Sequence, residues 1–319
     1  YRRSHTATVA VDRSELNRLV LEGRNLSFEE APSVDQNLTF GLLGELLKER
    51  LIVDSIDGDL LKTLNLYSEE SGYNNAAAVL SDVNSFPGID IVKFGASDDE
   101  IADRIRLEGI SALRQFHEAL EMFRRYYQVE QIEGALRQTR ELVPEEAFRE
   151  AVANALVHRL WDSGSFVRVM MRDDGIEVTS PGGLPPQLSE EEYLEGRISN
   201  LRNPIIGNVF FRLGFIEMFA TGVRRIRAAY EGLGVSPSFS VMDNSISVVL
   251  PTLSGAAPLT AEEERLLGLL PHNRLLSRNE IEVIWNLSRG KTIRLINALI
   301  SKNRLALNGS GRAIKYYRV

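Results

Sequence analysis

Apolar residues recur at helical spacing over Gly109–Tyr127, where Ile110, Leu113, Phe116, Leu120 and Phe123 form one stripe. The pattern predicts a long amphipathic helix with that stripe in the core. Shorter helical stretches fall at Leu38–Leu47, at Asp59–Leu66 and in the alanine-rich run Asn74–Ser81. Pro144, followed by Glu145 and Glu146, opens another helix that runs to about Leu160. Proline suits a first turn, and carboxylates suit the positive end of the helix dipole. Strand patterns lie at Thr6–Val11, with a short helix from Ser14, and at Asp90–Phe94 after the turn signal Pro87-Gly88. Val167–Met171 and Ile176–Thr179 read as paired strands around Asp173-Asp174-Gly175. The run from Ser180 to Pro186, rich in proline and glycine, reads as irregular. Helices at Pro204–Leu213 and Gly222–Glu231 and a strand at Ser245–Leu250 follow, and the small residues of Leu253–Pro258 mark a linker.

Beyond the linker the pattern changes. Thr260 with Glu263, and Ser277 with Glu280, are capping boxes that start two helices. Ser288–Asn303 is a third helix, with Ile293, Ile296, Leu299 and Ile300 as its apolar face. Leu305–Tyr317 reads as a hairpin with a glycine turn. Three helices and a hairpin in so short a span make a winged helix-turn-helix, whose third helix enters a major groove. Arg289, Lys291, Arg294 and Lys302 on that helix, and Arg312 and Lys315 on the wing, are the candidate DNA contacts.

Charge supports this division. The chain has 319 residues and a formal net charge of −7. Pro258–Val319 holds eleven basic residues against five acidic ones, a net +6, which leaves −13 on the rest. A basic module on an acidic body suits a phosphate-bearing partner, or is a basic surface with no partner. Apolar residues make up 44% and charged residues 25%, which excludes a disordered or fibrous chain. The absence of cysteine excludes disulfides, thiol catalysis and cysteine-ligated metals. No run of residues is long and apolar enough for a membrane span. The chain begins with Tyr1 rather than Met and shows no leader, so a cytoplasmic fragment of a longer protein is expected.

The candidate chemistry lies on the helix after Pro144. At about 100° per residue, Glu150, Asn154 and His158 fall within roughly 80° of one another. Alanine and valine flank them rather than lysine and glutamate. A carboxylate, an amide and an imidazole on a semi-apolar face suit a metal-bound phosphate with a water, or a buried polar network that pins helix to sheet. Two further features follow within about 75 residues: the Gly182-Gly183 loop after a strand, and Thr221-Gly222 before a helix, whose free N–H groups suit an anion.

Glu150-x-x-x-Asn154-Ala155-x-x-His158-Arg159, Ser180-Pro181-Gly182-Gly183-Leu184-Pro185, Arg202-Asn203-Pro204 and Ile216-Glu217-x-x-x-Thr221-Gly222-x-x-Arg225-Ile226 together resemble a bacterial family of transcriptional regulators. Its members join a Schlafen-type AlbA domain, a divergent GHKL-type ATPase domain related to the C-terminus of the RecG helicase, and a winged helix. The resemblance implies an α/β (α+β) fold: a GHKL-like α/β sandwich core followed by a winged helix-turn-helix. It divides the chain into an AlbA-like remnant over residues 1–20, a mixed connecting region over 21–130, a GHKL-like domain over 131–253 and the winged helix over 254–319. It makes ATP and magnesium the expected cofactors. Glu150 would activate water, and Asn154 would hold the metal. His158, Ser180, Gly182, Gly183, Thr221 and Gly222 would line the nucleotide site. Ser180 stands nearest the place where that fold carries an adenine-reading Asp, and Ala220 stands where relatives carry Gly. The expected function is a DNA-binding regulator, dimeric, that senses a nucleotide or other ligand. The alternatives are a magnesium-dependent ATPase and an inert dimerising scaffold. The one Gly-Lys-Thr, at Gly290–Thr292, has Trp285 where a phosphate loop has its first glycine, so no helicase motor is expected.

Overall fold

The computed structural model describes residues 2–4, 7–9, 16, 19–21, 23, 26–51, 57–133, 136–185, 188–196, 200–217, 222–253, 260–271, 274–301, 304–308 and 314–318. The strand expected at Thr6–Val11 is the second half of an antiparallel pair, β1 (Arg2–Ser4) with β2 (Ala7–Val9). Helices α1 (Gly41–Leu51) and α2 (Gly58–Thr63) precede a short ladder of β3 (Tyr67–Ser68) and β4 (Gly72–Tyr73), then α3 (Asn75–Leu80). Asp57 and Asn74 start α2 and α3 by accepting from the N–H of Leu60 and Ala77.

Strands β5 (Ile89–Phe94) and β6 (Ile101–Leu107) lead to α4 (Ala112–Tyr127), capped by Ser111. The hairpin β7 (Gln128–Glu133) and β8 (Leu136–Glu141) is followed by α5 (Glu145–His158). Pro144 is the cap of α5, not its first residue. Next come β9 (Val167–Arg172), β10 (Gly175–Pro181), α6 (Glu190–Glu195), α7 (Pro204–Arg212), α8 (Gly222–Ala229), β11 (Ser238–Met242) and β12 (Ser245–Pro251). The sequence pattern does not announce β6, the β7–β8 hairpin, α6 or β11. β6 is an edge strand with four exposed positions, so its alternation is faint.

Six strands form one sheet in the order β11-β12-β10-β9-β5-β6. All pairs are antiparallel except β5 with β9, where Ile91 faces Val169 in parallel register. Ser180 and Pro181 are not irregular: they extend β10, with Ser180 opposite Ile246 and Pro181 opposite Ser245. Proline is tolerated at that strand end, where its ring removes one donor and its carbonyl still accepts from Leu160 N–H.

The helices cover the sheet face that carries Ile89, Ile91, Val167, Val169, Met171 and Leu250, all fully buried. Leu113, Phe116, Leu120 and Phe123 of α4 are buried as expected, while Ile110 lies before the helix and is half-buried. Phe123 stacks on Phe148 of α5 at 4.6 Å between ring centres, and Phe116 packs on Phe215 at 4.8 Å. A single apolar core runs from Leu43 to Leu250, and the sheet takes strands from both sides of residue 131, so no structural break falls there.

A second, separate core holds the C-terminal unit. It comprises α9 (Ala261–Gly268), β13 (Leu276–Ser277), α10 (Arg278–Trp285), α11 (Arg289–Ser301), β14 (Leu305–Asn308) and β15 (Lys315–Arg318). Both expected capping boxes are formed, Thr260 with Glu263 and Ser277 with Glu280. The strands make a three-stranded antiparallel sheet in the order β13-β15-β14. On α11, Ile296 and Leu299 are buried, but Ile293 is 37% exposed, because the inward position one residue earlier is taken by the buried Thr292. The Gly290-Lys291-Thr292 segment is part of α11. Thr292 Oγ1 donates to the Ser288 carbonyl, and Trp285 Nε1 donates to the Leu266 carbonyl in the core. The linker expected at 253–258 lies outside the described residues save for Leu253. No helix among the described residues is long and apolar enough to cross a membrane.

Candidate functional site

Helix α5 lies between the sheet and α8, and its inward face is almost wholly alanine, valine, leucine and phenylalanine. Small side chains let the helix approach β10 closely. At one edge of this contact the polar stripe emerges into a cavity between α5, α6, α8, β10 and β12. Glu150, Asn154, His158, Ser180, Gly182, Gly183 and Gly222 all line it. Thr221 lies outside the described residues.

Glu150 is 2% exposed. Asn154 Nδ2 donates to its Oε1 at 3.3 Å, and its Oε2 has no hydrogen-bond partner among the described residues. Burial pushes the carboxyl above the usual glutamate range, opposed first by Arg225 and then by Arg149 and Asn154. Arg225, on α8, reaches Glu150 Oε2 at 3.6 Å, Glu146 at 3.0 Å and Glu217 at 3.2 Å.

His158 lies one turn beyond Asn154. Burial, and then the cation of Arg202, push its pKa down to about 4, so the ring is neutral at pH 7 with one donor and one acceptor nitrogen. It has no hydrogen-bond partner among the described residues. Ser180, by contrast, is engaged: its hydroxyl donates to the Ala155 carbonyl at 2.9 Å and ties β10 to α5. At Gly182, φ is +106°, and a side chain would overlap both Arg202 and Leu160. Gly183 lies so close to the Asp243 carbonyl that a Cβ there would overlap it.

The rest of the sequence motif holds the frame. Arg159 is fully buried with no carboxylate paired to it among the described residues. It donates to the carbonyls of Pro87 at 2.8 Å, Gly88 at 3.0 Å and Ser165 at 2.7 Å, and lies over the Trp161 ring. Asn203 donates to the carbonyls of Val157 and Arg159 at the end of α5, and Arg202 donates to Gly183 at 2.6 Å. Tyr193, which the sequence pattern did not single out, also lines the cavity, with burial pushing its hydroxyl up to about 12. The capping box of Ser189 and Glu192 that starts α6 was the available signal for this helix.

The described lining contains two carboxylates, Glu150 and Glu217, and no lysine or arginine. No group of three or more histidine and carboxylate residues among the described ones forms a metal cluster. The Asn154 amide oxygen nonetheless offers a hard donor in the lining, beside the start of α8. That suits a magnesium ion that takes most of its shell from phosphate and water.

Residues 164–250 match the family described as "Putative ATP-dependent DNA helicase recG C-terminal". The similarity is to an ATPase-like domain. It spans the glycine loop and α8 but begins after α5, so Glu150, Asn154 and His158 join the site through the fold. No curated protein matches the chain. The crystal structure of the DIP2311 protein from Corynebacterium diphtheriae aligns with 99% of this chain and 74% of that one, at 16% identity and a TM-score of 0.61. At that identity the likeness is one of fold alone.

The candidate DNA contacts lie apart from this cavity. Arg289 and Arg294 are exposed on α11 with Ile293 between them, and Lys315 is exposed on β15. Lys291 is paired with Glu262 at 2.6 Å. Lys302 and Arg312 lie outside the described residues.

Proposed function

We propose that this chain is a nucleotide-responsive DNA-binding regulator, with the ATPase-like cavity as sensor and the C-terminal unit as the DNA-binding module. The observation that carries the reading is the buried Glu150 carboxylate in the cavity lining, with Oε1 bonded by Asn154 and Oε2 free of hydrogen bonds beside Arg225. A general base needs such an oxygen within reach of water. Asn154 would hold magnesium, which when bound offsets phosphate charge. The N–H groups at the start of α8 would face phosphate. The engaged Ser180 favours a sensor that reads its base without a carboxylate at that place, by way of the neutral His158.

Three helices with a β-hairpin, exposed Arg289 and Arg294, and the basic excess support a winged helix that meets DNA. Helix α8 supports the coupling. Its first residue touches Asn154, and Gly234, in the loop after α8, lies under the guanidinium of Arg304 at the root of β14. A ligand that shifts α8 would therefore bias the C-terminal unit.

Calorimetric titration with ATP and magnesium, beside Asn154→Ala, tests the sensor. Saturable binding that the variant loses is the expected result, and no binding at millimolar nucleotide overturns it. A hydrolysis assay then separates a sensor that turns ATP over from one that only binds.

A further inference from the structure

Arg225 is the hub of a four-residue charge network that includes Glu150 and Glu217 of the cavity lining. Its Nη2 bonds Glu146 at 3.0 Å, its Nη1 lies 3.2 Å from Glu217, and its Nε faces Glu150 Oε2 at 3.6 Å. Nε and Oε2 are both buried, neither has a hydrogen-bond partner among the described residues, and they face each other as an ion pair. The two outer carboxylates are more than half exposed, whereas Glu150 is 2% exposed and Arg225 26%. The exposed pair therefore orients the guanidinium, and the guanidinium serves the buried carboxylate.

Glu150 thus accepts one hydrogen bond, at Oε1 from Asn154 of its own helix, and has the Arg225 guanidinium of α8 as an ion-pair contact at Oε2. The hydrogen bond and the neighbouring cation together bias the carboxylate toward one setting of its last torsion. A buried carboxylate also needs a nearby cation to stay charged, and only the charged form accepts a proton.

We propose that Arg225 is the positioning residue for Glu150, with Glu146 and Glu217 as the clamp that holds the guanidinium. The proposal rests on the reading of Glu150 as general base. Because Arg225 stands on α8, the aim of the base then follows the position of that helix, whose first residue touches Asn154. Access to the base and contact with the nucleotide are set by one element.

The test uses the full chain with ATP and magnesium, and compares it with Arg225→Gln and Arg225→Lys. Binding is measured by calorimetry, and kcat and KM by steady-state phosphate release. Arg225→Gln is expected to lower kcat on the order of a hundredfold with binding and KM within about threefold of the parent. Arg225→Lys restores the charge without the fork, so its kcat is expected to fall between the two. A role in stability alone would lower binding and turnover together. An equal loss of both, or a kcat that is unchanged or raised in a folded Arg225→Gln, overturns the proposal. If Arg225→Gln does not fold, Arg225→Lys decides, and a kcat equal to the parent's overturns it. If the parent binds nucleotide but releases no phosphate, Glu150 is not a working base and both readings fall. If the parent turns ATP over and only the Arg225 variants are silent in effect, this proposal alone falls.

Discussion

The side-chain amide of Asn154 fills the space in which any residue but glycine at position 222 would place its Cβ. The start of α8 can approach α5 only because Gly222 is bare. Alanine there would push the Asn154 amide out of the cavity, while the helix itself would tolerate the change. Gly222→Ala is therefore expected to fold with near-parental stability and to bind ATP with magnesium roughly tenfold more weakly, a loss of about 1.4 kcal/mol. Calorimetric titration checks this, and parental affinity would show that the contact is idle.

Metal removal has a clear sign. The described lining of the cavity holds Glu150 and Glu217 and no fixed cation. A bare triphosphate would meet like charge. Chelation of magnesium is expected to weaken nucleotide binding at least about tenfold. Equal affinity in chelator and in magnesium would mean that the carboxylates do not face the phosphates.

Arg159 ties three segments together through the carbonyls of Pro87, Gly88 and Ser165. Arg159→Met would keep much of the volume and take the donor from the Pro87 and Ser165 carbonyls, while the Gly88 carbonyl keeps the Val167 N–H. At about 1–3 kcal/mol for each such group, a loss of about 2 kcal/mol or more is expected. Urea unfolding measures it. A loss below about 1 kcal/mol would mean that water replaces the guanidinium.

Glu29 reaches across 176 positions to accept from Ile205 N–H at 2.7 Å and, with its other oxygen, from Ile206 N–H at 3.1 Å, at the start of α7. It is fully buried, and burial lifts its pKa to about 7 against the pull of those two bonds. The folded chain therefore holds a proton that the unfolded chain has released between about pH 4.5 and 7. That contribution is complete below the unfolded value and lost as pH rises to about 7, up to about 3 kcal/mol. Glu29→Gln has no such titration. Denaturant unfolding from pH 5 to 8 is expected to show a flatter profile for the variant than for the parent. Parallel profiles would rule Glu29 out as the cause.

In the C-terminal unit, Arg289 and Arg294 are exposed, whereas Lys291 is paired with Glu262. Arg289→Ala and Arg294→Ala are each expected to weaken binding to duplex DNA and to reduce the slope of log affinity against log salt by about 1. Lys291→Ala should do less. Fluorescence anisotropy at several salt concentrations reads both quantities. An unchanged slope in both arginine variants would point to a module that meets protein instead.

The helices were legible where a local device marked them. Thr260 with Glu263, Ser277 with Glu280, and the stripe of α4 announce themselves by spacing alone. Ser180 and Pro181 misled, because proline and glycine signal a break, while a strand end accepts a proline. Ile293 misled as well, since helical spacing leaves the width of the apolar face open and Thr292 takes the inward place.

The stripe of Glu150, Asn154 and His158 followed from the period of the helix alone, as a rotation of about 100° per residue requires. Which of its atoms are satisfied did not. That Ser180 is engaged while Glu150 Oε2 lacks a hydrogen bond, that Arg225 arrives beside it from α8, and that Glu29 caps α7 are matters of chain crossing. Local spacing encodes which residues share a face of one element, because rotation per residue is fixed by the backbone. It does not encode which face meets which. That depends on how the core closes, here through the parallel pairing of β5 with β9 and the packing of α8 on α5.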